Sequence, residues 1–82
     1  MNITVLTPDR EIYKGEFTSV KVPGVSGQFE VLNNHAPIVS ALGEGSVRLK
    51  ISEKVNTSFT IEKGFIEVLK NEVSLLVQGY KE

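Results

Sequence analysis

The sequence predicts an all-β fold, an antiparallel β-sandwich of about eight to ten short strands. Apolar and polar residues alternate with period 2 along most of the chain, as in Val47-Arg48-Leu49-Lys50-Ile51. Turn-forming residues interrupt these runs about every 6 to 12 residues. No segment keeps helical spacing over roughly 11 residues, which excludes a parallel βαβ architecture.

Four alternating segments occupy the N-terminal part of the chain. They run from Ile3 to Leu6, Glu11 to Tyr13, Phe17 to Val22 and Phe29 to Leu32. Turn signals containing proline or glycine separate them, because these residues fix or free the backbone φ angle. Further segments follow, from Val47 to Ile51, Thr57 to Ile61, Phe65 to Leu69 and Val73 to Val77.

The last two segments, Phe65 to Leu69 and Val73 to Val77, carry apolar residues on both faces. Such strands are either covered twice within the fold or covered by another molecule. A domain this small has little material for a second covering layer, so the pattern indicates an interaction surface. Under the alternative interpretation, Ile66, Val68 and Leu76 are scattered surface residues, which are common in soluble proteins.

The four phenylalanines each fall within an alternating segment, which predicts core packing for all of them. They are Phe17, Phe29, Phe59 and Phe65.

Size and composition bound the function. The chain has 82 residues, no cysteine and a net charge of −1, with acidic and basic residues interspersed. We expect a single domain over residues 1–82, without disulfides or a thiolate metal site. The even charge distribution argues against nucleic-acid binding, which requires a basic footprint. The N-terminus lacks the features of a secretory signal.

The sequence offers two candidate catalytic or ligand-binding motifs, and each lacks a feature that its chemistry requires. A serine hydrolase would need His35, the only histidine, beside Ser26 or Ser40 and an acid such as Asp9. No Gly-x-Ser-x-Gly elbow is present. The segment from Gly24 to Gly27 is followed by a predicted strand and not by the helix that a phosphate loop requires. The sequence therefore predicts a non-catalytic chain with no cofactor and no metal, in which His35 lies in a turn or at a contact.

Three motifs in order resemble those of the epsilon subunits of F-type ATP synthases. The first is VPGVSGQFEVLNNHAPIVSAL, from Val22 to Leu42, and the second is GEGSVRL, from Gly43. The third, FTIEKGFIEVLKNEVSLL from Phe59, resembles the family's Gly-Gly-Phe-x-Glu-Val strand and the strand after it. The resemblance extends over residues 2–78.

The chain also departs from the family pattern. Glu30 stands where glycine is usual, Lys63-Gly64 replaces a glycine pair, and Glu44 replaces a common proline. Typical bacterial members continue into a C-terminal helical hairpin, whereas this sequence ends at Glu82. The resemblance therefore implies the N-terminal sandwich domain alone, without the hairpin and its regulatory functions.

The resemblance implies a rotor subunit of the central stalk, which couples rotation of the membrane c-ring through gamma to ATP synthesis in the catalytic head. The coupling ion would be a proton or sodium. The subunit would be peripheral, at the cytoplasmic face of the cell membrane, with no nucleic acid and no small-molecule substrate. An antiparallel sandwich suits this role, because its ladders and packed core resist shear.

Two sets of site residues follow from the resemblance. The c-ring-facing set is Ser26, Gly27, Gln28 and His35. The gamma-binding set is Thr7, Pro8, His35, Ala36, Pro37, Ser40, Leu42 and Glu62.

Two alternatives remain open from the residues themselves. One is a free-standing β-sandwich module that binds peptide or carbohydrate, which the two tyrosines and absent tryptophan disfavour. The other is the small serine hydrolase built on His35.

Overall fold

Nine β-strands make up the fold, in a computed structural model that describes all 82 residues. They are β1 (Asn2–Leu6), β2 (Glu11–Glu16), β3 (Ser19–Gly24), β4 (Gly27–Val31), β5 (Ile38–Leu42), β6 (Gly45–Lys50), β7 (Asn56–Ile61), β8 (Lys63–Leu69) and β9 (Glu72–Gln78). The predicted all-β class and strand number are confirmed. The chain forms no helix, and so none that could cross a membrane.

The strands form one mixed sheet that curls into two layers. Strands β2, β1, β9, β8 and β5 make a five-stranded layer, and β4, β3, β6 and β7 make a four-stranded layer. The layers join at a corner where β3 and β5 pair only through Gly24 and Leu42. Every pairing is antiparallel except that of β1 with β9, which is parallel. Alternation could not predict that pair, since it assigns faces and not neighbours.

Gly24, which lies at this corner, also allows the β3–β4 hairpin to close tightly. A Cβ atom at this position would lie 2.7 Å from the carbonyl oxygen of Gly27 and 2.9 Å from Cε1 of Phe29. Any side chain would therefore push the β3–β4 hairpin apart. The corner brings the two layers face to face.

The core lies between the layers and contains 16 buried apolar residues. The inward positions of β6, β7 and β9 are those that alternation predicts, including Val47, Leu49, Phe59 and Leu75. Burying each such side chain contributes about 1.5 to 3 kcal/mol. The stiffness expected of the sandwich rests on this single shared core.

The assignment of β8 was partly wrong. Phe65, predicted as a core residue, is 59% exposed, whereas Ile66 and Val68 are buried. Both faces of β8 are apolar, so the pattern alone could not show which one points inward. Pairing settles the question, because Ile66 pairs with buried Leu75 while Phe65 pairs with exposed Leu76. Phe17 and Phe59 are buried and Phe29 packs partly against the core.

Candidate protein-docking face

An apolar row crosses the outer face of the five-stranded layer. Ala41 on β5 pairs with Phe65 on β8, Phe65 pairs with Leu76 on β9, and Leu76 pairs with Leu6 on β1. Paired residues on adjacent strands point to the same side of a sheet. The four side chains therefore form one continuous stripe, which we call the apolar row.

The apolar row is largely open to solvent. Phe65 is 59% exposed and Leu76 is 50% exposed, while Leu6 and Ala41 are half-buried. The row crosses an open depression of about 590 Å³, whose apolar lining is Leu6, Ala41, Leu42, Phe65, Leu76 and Val77. A contiguous exposed apolar surface on a small protein indicates a site where another molecule binds.

Thr7 and Pro8 form one wall of this depression. The Thr7 hydroxyl accepts hydrogen bonds from the backbone N–H groups of Asp9, at 3.3 Å, and Arg10, at 3.1 Å. The backbone N–H of Thr7 donates to the carbonyl of Arg10 at 2.9 Å. A hydroxyl bonded in this way stabilises a tight turn. The wall is thus ordered before any partner arrives.

Ser40 and Leu42 lie on the inner side of β5, since they pair with Ile66 and Gly64 on the inward register. Leu42 is only 3% exposed and belongs to the core. The outward positions of β5 are Val39, which is 70% exposed, and Ala41. Sequence reasoning missed these two, because strand direction and pairing decide which alternate set faces out.

Glu62 lies between β7 and β8 and is exposed, with its backbone N–H donating to the carbonyl of Gln78 at 2.9 Å. Its side chain covers Gly79, where a Cβ atom would overlap it. The next residue, Lys63, lines the depression together with Gln78. Glu62 is therefore near the same end of the layer as Thr7 and Pro8.

The loop between β4 and β5 contains His35, Ala36 and Pro37. The backbone N–H of His35 donates to the carbonyl of Leu32 at 3.1 Å, and ring atom Nδ1 lies 2.7 Å from the carbonyl oxygen of Ala36. Since a carbonyl can only accept, Nδ1 carries the proton. The ring is engaged with backbone, as the turn interpretation expects.

No hydrolytic triad is assembled around His35. Its ring bonds to no serine or carboxylate, and the Ser40 hydroxyl donates instead to the carbonyl of Ala41 at 3.3 Å. No group of three or more His, Cys, Asp or Glu residues is placed to hold a metal ion. The hydrolase alternative therefore has no geometric support in this fold.

The turn between β3 and β4 contains Ser26, and Gly27 and Gln28 begin β4; all three residues are exposed. The backbone N–H of Val25 donates to the carbonyl of Ala41 at 3.2 Å, which holds this turn beside the end of β5. The His35 loop precedes the other end of β5. The two halves of the c-ring-facing set thus flank β5 from opposite ends, about 13 Å apart along the strand.

A stiff sandwich with an apolar outer row and ordered turns defines a class of protein: a β-sandwich module with an exposed surface suited to a protein partner. The surface that a partner could contact therefore consists of sheet faces and turns.

The comparison with known proteins identifies the family within that class. The family model described as the ATP synthase, Delta/Epsilon chain, beta-sandwich domain matches residues 1–81. The chain belongs to this family. Members are subunits of ATP synthase and are not themselves catalytic.

Individual relatives agree with the family model. The chain is 43% identical over 76 residues to the ATP synthase epsilon chain of Chlorobium limicola, covering 93% of this chain and 86% of that protein. It is 45% identical over 76 residues to the epsilon chain of Leptospira borgpetersenii, covering 93% of this chain and 59% of that one. The chain thus spans most of the first relative and about three-fifths of the second.

Solved structures match the fold. The chain superimposes with a TM-score of 0.85 and 18% identity on a chain of the Tetrahymena thermophila mitochondrial ATP synthase central stalk and c-ring, covering 100% of this chain and 66% of that one. For a chain of the Euglena gracilis mitochondrial ATP synthase, the TM-score is 0.88 at 21% identity, with 96% and 51% covered. At these identities the likeness establishes the fold.

Proposed function

We propose that this chain is an epsilon-type rotor subunit of the ATP synthase central stalk, which passes torque between the c-ring and gamma. The observation that carries the proposal is the apolar row from Ala41 to Leu6, exposed on the outer face of the five-stranded layer. A rigid domain with one apolar face suits a subunit that must bind its neighbour and transmit torque without deforming.

Gamma is the proposed partner of the apolar row and its rim. Phe65 and Leu76 would supply the central buried contact, since a few fully desolvated side chains near the centre of an interface carry most of the binding energy. Thr7 and Pro8 would flank it, and Glu62 would lie nearby. Ala36, Pro37 and His35 would extend the contact along the loop that precedes β5. Leu42 would act from beneath, as part of the floor of the depression.

The exposed turn of Ser26, Gly27 and Gln28 would meet the polar loops of the c-ring. Gly27 has a φ of 127° and open space around it, so the turn could adjust to a partner without a side chain in the way. His35 would contribute from the other end of β5. The subunit would then be peripheral to the membrane, at its cytoplasmic face in a bacterial cell, and would carry no cofactor.

The proposal is tested by mixing the chain with purified cognate gamma and measuring association by size-exclusion chromatography and calorimetry. Leu76→Glu places a charge in the apolar row and should weaken the complex at least tenfold, because the carboxylate would be desolvated on binding. Val55→Glu is the matched control. Val55 is also 50% exposed but lies in the turn between β6 and β7, so its variant should bind normally.

Failure of the unmodified chain to bind gamma would overturn the proposal. Equal weakening by both variants would mean that binding follows net charge and not the apolar row. Circular dichroism and thermal unfolding of each variant establish that the β-fold is intact before binding is compared.

A further inference from the structure

The outer face of the four-stranded layer carries a charge row of its own. Glu30 on β4 pairs with Lys21 on β3, Lys21 pairs with Arg48 on β6, and Arg48 pairs with Ser58 on β7. Lys50 follows Arg48 by two residues and therefore points to the same side. Lys21 and Arg48 are like charges directly opposite one another, an arrangement that destabilises a sheet unless an anion relieves it.

This face is positive although the chain as a whole carries a net charge of −1. It holds three cations, Lys21, Arg48 and Lys50, against the single carboxylate of Glu30. The outer face of the five-stranded layer differs, because the apolar row crosses it and its outward register positions hold both signs of charge. The acids are Glu16, Glu67 and Glu72 and the cations are Lys14 and Lys63. The two outer faces would therefore select partners of different chemistry.

The shape of the positive face suits an extended ligand. Lys21, Arg48 and Lys50 line an open, shallow depression of about 520 Å³, together with hydrogen-bonding groups of Ser19, Asn56 and Ser58. The side chains of Arg48 and Lys50 leave β6 about 7 Å apart, which is also the spacing of alternate side chains in an extended peptide. Cations spread across a broad face fit several separate carboxylates better than one compact anion.

We propose that the outer face of the four-stranded layer is a docking surface for an extended acidic segment of a partner protein, with carboxylates on alternate residues. Carboxylates of the segment would contact Arg48 and Lys50 along β6, and a third contact would reach Lys21 on the neighbouring strand. Arg48 can donate two parallel N–H hydrogen bonds to one carboxylate, which fixes the register of the segment. Because this surface is on the layer opposite the apolar row, both could be occupied together, and neither proposal depends on the other.

The test uses the ¹⁵N-labelled 82-residue chain and a capped synthetic hexapeptide, Glu-Thr-Glu-Thr-Glu-Thr, titrated by NMR at low salt. We expect saturable amide shifts confined to β3, β6 and β7 around Lys21, Arg48 and Ser58. Affinity should fall severalfold when salt is raised, because exposed charge pairs are screened at a Debye length of about 8 Å in 0.15 M salt. A Gln-Thr-Gln-Thr-Gln-Thr peptide should not bind.

Single substitutions should change the affinity for the acidic peptide in both directions. Arg48→Gln and Lys50→Gln should each weaken peptide binding about threefold, a typical effect of removing one exposed ion pair. Glu30→Gln should strengthen binding, since it removes the only carboxylate in the row. Lys14→Gln is the matched control, because it makes the same charge change on the other layer and should alter affinity less than twofold.

The opposite results are equally definite. No saturable binding, equal binding of the glutamine peptide, or shifts that map to the five-stranded layer would overturn the proposal. Tighter binding of inorganic phosphate or of phosphatidylglycerol vesicles to the same residues would overturn it in favour of a phosphate site. Concentration-dependent shifts of these residues without peptide would overturn it in favour of a second copy of this chain on the face.

Discussion

Asn34 and Asn71 hold two turns together across 37 residues of sequence. The side-chain carbonyl of Asn71 accepts the backbone N–H of Asn34 at 2.9 Å, and the amide of Asn71 donates to the side-chain carbonyl of Asn34 at 3.3 Å. Both residues have positive φ, 65° for Asn34 and 63° for Asn71. Asparagine is suited to this conformation because its short polar side chain can hydrogen-bond locally. The pair holds the β4–β5 loop, which contains His35, against the turn between β8 and β9.

Replacement of Asn71 should separate the two contributions of this residue. Both Asn71→Gly and Asn71→Ala remove the side-chain hydrogen bonds. Glycine adopts a φ of 63° without a steric cost, whereas alanine keeps a Cβ atom at this angle. We expect Asn71→Ala to have a free energy of unfolding about 1 to 2 kcal/mol below that of Asn71→Gly, the cost of the left-handed conformation. Urea unfolding measures the difference. In both variants the amide of Asn34 should exchange faster with solvent, and unchanged exchange would argue against the anchoring role.

Lys70 precedes Asn71 in the two-residue turn and has a φ of 51°. Two consecutive positive φ angles define a type I′ turn, in which asparagine and glycine are favoured at the first position. Lys70→Asn should therefore raise the free energy of unfolding by roughly 0.5 to 1 kcal/mol. Lys54→Asn is the control, because Lys54 is in a turn without positive φ and should gain nothing. An equal gain in both variants would point to charge and not to turn geometry.

Gly64 is required by close packing of β8 on β9. An added Cβ atom would overlap the carbonyl oxygen of Leu76 and lie 3.2 Å from Cα of Val77. Backbone atoms can only move with the strand, so Gly64→Ala should lower the free energy of unfolding by about 3 kcal/mol. At Gly43 the nearest atom, Cγ1 of Val25, would be 3.9 Å away, and Gly43→Ala should be nearly neutral. Similar midpoints in urea for both variants would contradict this account.

Phe65 and Ile66 are sequence neighbours on opposite faces of β8, so truncating each should have opposite effects. Ile66 is fully buried, and Ile66→Ala should cost about 2 to 5 kcal/mol of stability. Phe65 is 59% exposed, and Phe65→Ala should cost less than about 1 kcal/mol. Gamma affinity should behave the other way, falling for Phe65→Ala and not for folded Ile66→Ala. If Phe65→Ala bound gamma normally, the apolar row would not be the contact.

Tyr80 should make the fold sensitive to alkaline pH. Burial raises the pKa of Tyr80 above its usual value, and the hydrogen bond and charge of Glu82 add to this, while Arg10 opposes it. A raised pKa means that the folded state favours the protonated phenol. Its contribution to stability is present below the unfolded pKa of about 10 and is lost as pH rises through the folded value. Between roughly pH 9 and pH 11, the span around that pKa, Tyr80→Phe should therefore lose less thermal stability than the unmodified chain. The same pH profile in both proteins would contradict this.

The sequence by itself determined the all-β class, most of the strands and the inward residues of β6, β7 and β9, because period-2 alternation forces one face of each strand into the core. It also determined the turns, through glycine, proline and asparagine. Three motifs were enough to indicate the family that the comparisons then established.

Only the tertiary structure decided which strands become neighbours. That choice turned Phe65 outward and Ile66 inward, aligned Ala41, Phe65, Leu76 and Leu6 into one row, and set Lys21 beside Arg48. The physical reason is that a binding face is built from cross-strand pairs. Residues as distant in sequence as Leu6 and Leu76 become adjacent only through register, and no local pattern encodes that register.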